Sequence, residues 1–153
     1  MIRACGQWVI LKGQEMEQFA EYGHAIVSMV AVAIFGLLVN PLTATKKMGQ
    51  GLAAGGTPKG DYDDPVYRLN RAYLNLTEIM GFFVACVVGA ILAGVSPFWV
   101  NLLASVFLIS RIVLFFVHTR AIGPMNFGPR TFTFVIGWAC CLILALMTIW
   151  AVF

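Results

Sequence analysis

Four polar side chains stand at a spacing that a helix gathers onto one face. Arg68, Arg71, Asn75 and Glu78 lie 3, 4 and 3 residues apart in YRLNRAYLNLTEIMGFF, and helical positions so spaced are neighbours. Two guanidinium groups, an amide and a carboxylate in one stripe suit a small polyanion that also carries an ammonium group. The arginines hold its carboxylates by paired hydrogen bonds where geometry allows. The amide fixes a peptide-like group, and Glu78 takes the ammonium or orients an arginine. From Met80 onward the segment is almost wholly apolar, so the helix starts in water and ends in lipid. At 1.5 Å per residue, Glu78 sits roughly 15 Å further along the axis than Arg68. Arginines in a solvated first turn are ordinary at the start of a membrane helix. A carboxylate at that depth is not, because it is costly without a cation, a ligand or a water-filled cavity.

Two later arginines extend the pattern. Arg111 lies inside an apolar segment and is followed by IVLFFV. It either snorkels to the headgroups or meets Glu78 or an anionic ligand inside a bundle. Arg130 opens the last apolar segment, with Thr131 beside it. Arg68, Arg71, Asn75, Glu78, Arg111 and Arg130 together predict one cationic pocket at a single membrane face.

The elements that must position these groups follow from composition. The chain has 153 residues, 60% hydrophobic and 11% charged, where a soluble domain carries about 25% charged residues. Four apolar stretches of spanning length account for the difference. They run over about residues 19–43, 65–93, 97–117 and 130–152, after a stub at 1–18. The expected fold is an all-α integral membrane protein, a four-transmembrane-helix bundle in one domain. Met1–Leu11 does not resemble a signal peptide. It is either an interfacial stub or an upstream extension, with Met16 the functional start.

Asn40 and Pro41 mark the expected exit of the first span. GQGLAAGGTPKGDYDDP then reads as a loop, and it lacks the GK[ST] of a phosphate loop. Asp63, Asp64 and Pro65 read as a helix start. Gly81, Gly89 and Gly94 narrow the second span for close helix contact. Gly94–Pro97 is too short for anything but an antiparallel hairpin.

Lys46, Lys47, Lys59, Arg68, Arg71, Arg111, Arg120 and Arg130 all lie in or near the loops after spans one and three. The positive-inside rule makes that side cytoplasmic and both termini external. The membrane expected is a bacterial inner membrane. Cys5, Cys86, Cys140 and Cys141 form no CxxC pair and read as small apolar side chains. His24 and His118 stand far apart with no cysteine pair beside them, so no metal site is expected. No basic tract with interleaved aromatics points to nucleic acid.

RLNRAYLNLTE resembles the R-x-x-R-A-x-x-N-x-x-E signature of the MAPEG family, the membrane-associated proteins of eicosanoid and glutathione metabolism. SRIVLFFVHTRAIGPMNFGPRTFTFVIGW is similar to that family's third-to-fourth-span region, and the likeness covers about residues 20–153. The resemblance implies a homotrimer of four-helix subunits, with glutathione bent between neighbours near the cytoplasmic face. It implies a glutathione S-transferase or glutathione-dependent peroxidase acting in detoxification. The electrophile is lipophilic and arrives from the bilayer; lipids are the other neighbours. By the same resemblance Arg68, Arg71, Asn75, Glu78, Arg111 and His118 bind glutathione, which is the co-substrate. Arg130 stabilises its thiolate, and Thr131 donates a hydrogen bond to the sulfur. His118 and Ile79 stand where family members carry tyrosines, which bears on the second-substrate site. The alternative is a non-catalytic MAPEG-like subunit whose arginines hold anionic headgroups or a protein partner.

Overall fold

The computed structural model describes residues 19–124 and 127–153; the stub and the question of Met16 lie outside them. The described residues form four helices and no strand. They are α1 (Gly23–Gly49), α2 (Pro65–Leu92), α3 (Pro97–Thr119) and α4 (Pro129–Val152). Each is long and apolar enough to cross a membrane, and the protein is an integral multi-pass membrane protein. α2 and α3 each pack against all three other helices, while α1 and α4 lie on opposite flanks.

The core is built where α2 and α3 cross. Phe83 and Phe107 are both 0% exposed, and their rings stack at 3.8 Å with an interplanar angle of 6°. Val32, Val87, Val100 and Leu144 close around them. The outer wall is apolar as well: Leu37, Leu38, Phe82, Leu92 and Trp150 all face outward. Lipid tails solvate such a wall, so its exposure costs nothing there.

α1 does not stop at Asn40–Pro41 but runs on to Gly49. Proline removes one helical donor, and its ring crowds the turn before it. Local hydroxyls satisfy carbonyls around the kink position. Thr43 Oγ1 donates to Val39 O at 2.9 Å, and Thr45 Oγ1 to Pro41 O at 3.0 Å. Neighbouring threonines commonly make proline tolerable in membrane helices. Lys46 and Lys47 in the last turn complement the negative end of the helix dipole.

Asp64 caps α2, its side chain accepting from Val66 N–H at 2.9 Å, with Pro65 in the first position. Gln50 Nε2 donates to both Asp64 oxygens at 3.0 and 3.1 Å, joining the end of α1 to the start of α2. The Val66 N–H, and after it the Gln50 amide, hold the Asp64 carboxyl below its ordinary range. Asp64→Ala is expected to cost about 1 kcal/mol. Because the folded-state pKa is depressed, the cap's contribution is present above the ordinary carboxylate pKa. It is lost as pH falls through the folded value. Thermal unfolding in detergent should therefore separate wild type from Asp64→Ala at neutral pH and bring them together in acid.

The opposite end of the bundle is fastened by a polar clasp. Tyr22 Oη donates to Val95 O at 2.7 Å. Asn101 of α3 accepts from Ala25 N–H at 2.9 Å and donates to Glu21 O at 2.7 Å. A side chain from another helix thus satisfies a backbone donor in the first turn of α1, a group that a helix cannot satisfy itself.

Candidate functional site

At the loop end of the bundle, three helices and one loop line an open hollow of about 290 Å³. Its lining is Asn75 from α2, His118 from the last turn of α3, Arg130, Thr131 and Phe134 from the start of α4, and Tyr62 from the α1–α2 loop. Asn75 Nδ2 lies 3.1 Å from His118 Nε2. An amide nitrogen only donates, so Nε2 accepts and the ring proton sits on Nδ1. His118 Nδ1 and Arg130 Nε are both buried, and neither has a partner among the described residues. Unsatisfied buried donors are few in native structures and call for an acceptor. Two of them on residues around one hollow fit a ligand rich in carboxylates and carbonyls, or one bearing a thiolate.

Arg130 is placed by its surroundings on two sides. Nη2 donates to Gly123 O at 3.3 Å and to Pro124 O at 3.0 Å, which ties it to the α3–α4 loop. Gly123 has φ 81°, a left-handed conformation that glycine adopts without strain. The guanidinium carbon of Arg130 lies 4.7 Å from the centre of the Tyr62 ring. Tyr62 also stacks on His118, with centroids 6.3 Å apart and planes at 24°.

The hollow adjoins a groove of about 370 Å³ between α2 and α4, with Asn75 and Phe134 lining both. Glu78 lines this groove and is exposed on the single chain. Its other walls are apolar: Ile79, Phe82, Trp138, Leu142 and Ala145, with Cys86 and Cys141. A hollow bearing an amide, an imidazole and a guanidinium therefore adjoins a lipophilic groove.

The structure thus brings Asn75, His118, Arg130 and Thr131 together, with Glu78 next door. It sends two other guanidinium groups elsewhere. Arg68 Nη1 donates to Tyr62 O at 2.6 Å and to Asp63 O at 3.0 Å, and Nε reaches Thr119 O at 3.5 Å. Its role on the single chain is to fasten the loop over the hollow. Arg71, one turn later on α2, is half-buried.

Arg111 neither snorkels nor reaches Glu78. It is 2% exposed. Nη2 donates to Thr133 O at 3.1 Å and Phe134 O at 3.0 Å, and Nε to Ser110 Oγ at 3.3 Å. The Phe107 and Phe134 rings lie 5.1 and 5.5 Å from its guanidinium carbon. Gly137 of α4 makes the room. A Cβ there would lie 2.7 Å from both Arg111 Cζ and Ser110 Oγ, closer than atoms pack. Helix carbonyls, a hydroxyl and aromatic faces thus stand where a carboxylate would, while Nη1 is buried without a partner among the described residues.

Two participants escaped the sequence. Tyr62 is the aromatic residue two places before the α2 cap, and nothing in YDDP says where its ring folds. Gly137 is one glycine in an apolar helix, and only the facing arginine gives it meaning. His24 is exposed at the second position of α1, its carbonyl accepting from Ser28 Oγ at 2.7 Å. Among the described residues, no three His, Cys, Asp or Glu side chains cluster closely enough to hold a metal ion.

No curated protein matches the chain. The model of the MAPEG family matches residues 24–150, most of the chain and part or all of each of the four helices. With the four-helix bundle and the Arg-x-x-Arg-Ala-x-x-Asn-x-x-Glu stripe in place on α2, the chain belongs to the MAPEG family of membrane proteins of glutathione and eicosanoid metabolism.

Proposed function

We propose that this protein is a membrane glutathione S-transferase or glutathione-dependent peroxidase. The observation that carries the proposal is the adjoining pair of chambers. One carries the Arg130 guanidinium and the His118 ring, each with an unsatisfied nitrogen; the other is lined mainly by apolar side chains on the outer face of α2 and α4. A thiol tripeptide suits the first, and a lipophilic electrophile arriving from the bilayer suits the second. Asn75, His118 and Arg71 hold the peptide and its carboxylates, and Glu78 takes the ammonium group. Arg130 stabilises the thiolate, with Thr131 donating a hydrogen bond to the sulfur. Arg68 and Arg111 support the walls, one through the loop and the other through α4.

The chemistry follows from thiol acidity. A free thiol has a pKa near 8.5, and an adjacent guanidinium favours the anion. The proton leaves to water. The sulfur lone pair then attacks an electrophilic carbon, and the leaving group departs with its bonding electrons. With a hydroperoxide the sulfur attacks the distal oxygen and an alkoxide leaves. A second thiol then releases water and forms glutathione disulfide.

A homotrimer belongs to the same proposal. Glu78 stands roughly 20 Å along α2 from Pro65, at about 1.5 Å per residue, on the outer wall of one chain. A carboxylate there needs covering, and a neighbouring copy with glutathione between the two supplies it. The cation distribution supports a cytoplasmic site with both termini outside, and the membrane proposed is a bacterial inner membrane.

The test is an ultraviolet difference spectrum of the detergent-purified protein as glutathione is added at neutral pH. A saturable rise at the thiolate band, near about 240 nm, is expected. A flat spectrum with no thermal stabilisation by glutathione would favour a non-catalytic subunit with a lipid or protein partner.

A further inference from the structure

We propose that Tyr62 is a positioning residue for the charge that stabilises the thiolate. Its ring, pinned in place by Arg68, seats the Arg130 guanidinium and shields it from water. The inference rests on the thiol chemistry proposed above and adds a residue that lies outside every helix.

The geometry forms a short chain of contacts. Arg68 Nη1 takes the carbonyls of Tyr62 and Asp63, at 2.6 and 3.0 Å. That fixes the backbone from which the Tyr62 ring projects. Tyr67 meets the ring edge-on, with centroids 5.3 Å apart and planes at 88°, and limits its rotation. One ring then contacts both His118 and Arg130, and all three line the hollow. A loop residue thus touches the ends of α3 and α4 together.

The energetic argument concerns one guanidinium group. Arg130 has a long side chain and an unsatisfied Nε. Without a platform it would swing toward water, where its field is weak. A guanidinium over an aromatic face gains about 0.5–1 kcal/mol when exposed and about 2 when desolvated. The ring also keeps one face of the cation dry, which strengthens its field at the sulfur. Its other anchors, Gly123 O and Pro124 O, belong to a loop and hold only Nη2. Tyr62 therefore sets the orientation of a charge it does not carry. Loss of the ring weakens thiol ionisation before it weakens glutathione binding, because the peptide is gripped by other residues.

Two variants, Tyr62→Phe and Tyr62→Leu, test this in the full-length detergent-purified protein, with the wild type as the third, reference sample. Arg71 and Glu78 on α2, His118 on α3 and Arg130 on α4 are unchanged in all three. The first readout is the pH titration of the bound thiolate band. The second is glutathione affinity from thermal stabilisation. Tyr62→Phe is expected to keep the acid dissociation constant of the bound thiol within about twofold, since the ring face remains. Tyr62→Leu is expected to lower it by about three- to thirtyfold while affinity at saturating acid pH changes less.

An unchanged thiol titration in Tyr62→Leu, with wild-type band intensity, would overturn the role of the ring. Equal losses in Phe and Leu would also overturn it and place the effect on the hydroxyl. Absence of the band in the wild type itself would remove the thiol chemistry, a failure distinct from either. If Tyr62→Leu does not purify as a folded protein, stepwise fluorination of a phenylalanine at position 62 keeps the shape and drains the ring face. Thiol acidity that falls with each fluorine supports the proposal, and a flat series overturns it.

Discussion

Gly137→Ala is expected to destabilise the bundle by about 3 kcal/mol or more, although it adds one methyl group. In a well-packed core an added carbon costs about 1–3 kcal/mol. Here the carbon would meet a guanidinium, a hydroxyl and no free space. Arg111 must then give up Thr133 O and Phe134 O, or α3 and α4 must part. Displacing a buried charge from its partners costs about 3–5 kcal/mol. Thermal unfolding of the detergent-purified protein measures the effect. A double-mutant cycle identifies its source. In an Arg111→Leu background, which removes the charge and shortens the side chain, Gly137→Ala should cost much less. A coupling of at least about 1 kcal/mol is expected for residues in such contact. A Gly137→Ala variant within about 0.5 kcal/mol of wild type would refute the account.

Arg130→Ala is expected to abolish most of the bound thiolate at neutral pH and to lower turnover with a lipophilic electrophile by about 10²–10³-fold. That is the usual loss when a preorganised donor to a developing or resident anion is removed. Glutathione affinity should fall far less, because Asn75, His118 and Arg71 remain. Arg130→Lys should recover only part of the activity, since an ammonium lacks the planar fork and stacks less well on Tyr62. The thermal unfolding temperature serves as a control, because Arg130 also ties down the loop at Gly123 and Pro124. Undiminished thiolate in Arg130→Ala would move the stabilising role to another cation, with Arg71 the nearest in kind.

The four spans were legible because each is an uninterrupted apolar run, and a run of about 20 such residues has few alternatives to crossing a bilayer. The α2 stripe was legible because spacing alone decides which residues share a helical face. What those residues meet was not. Arg68 and Arg71 lie on one stripe, yet Arg68 turns back to the loop that precedes its own helix. Arg111 could not be resolved from sequence, because its partners are backbone carbonyls and a glycine on another helix, and none of these announces itself. That the α1 helix continues past the expected membrane exit at Pro41 was not legible either. Proline usually closes a helix in water, and here nearby threonines and the apolar surroundings let the helix continue to Gly49. Tyr62 was hidden by its place in a glycine-rich loop without periodicity.

The clasp at the far end has a consequence for how the molecule is made. Its hydrogen bonds join residues 73, 76 and 80 positions apart. The N-terminal end of α1 thus has no lasting polar partner on α3 or the turn before it until Val95 and Asn101 have been synthesised. Domains made in order ordinarily settle from the N-terminus onward. In this chain one fastening of an early element has to wait for a later one. α2 and α3, joined by a turn of four residues, close on each other through the Phe83–Phe107 stack, and α1, which packs along α2 as well, gains its clasp only when α3 is in place. α1 is made before α2 and α3 yet receives this fastening after both, and an Asn101 variant would be felt as a delay in maturation as much as a loss in the finished protein.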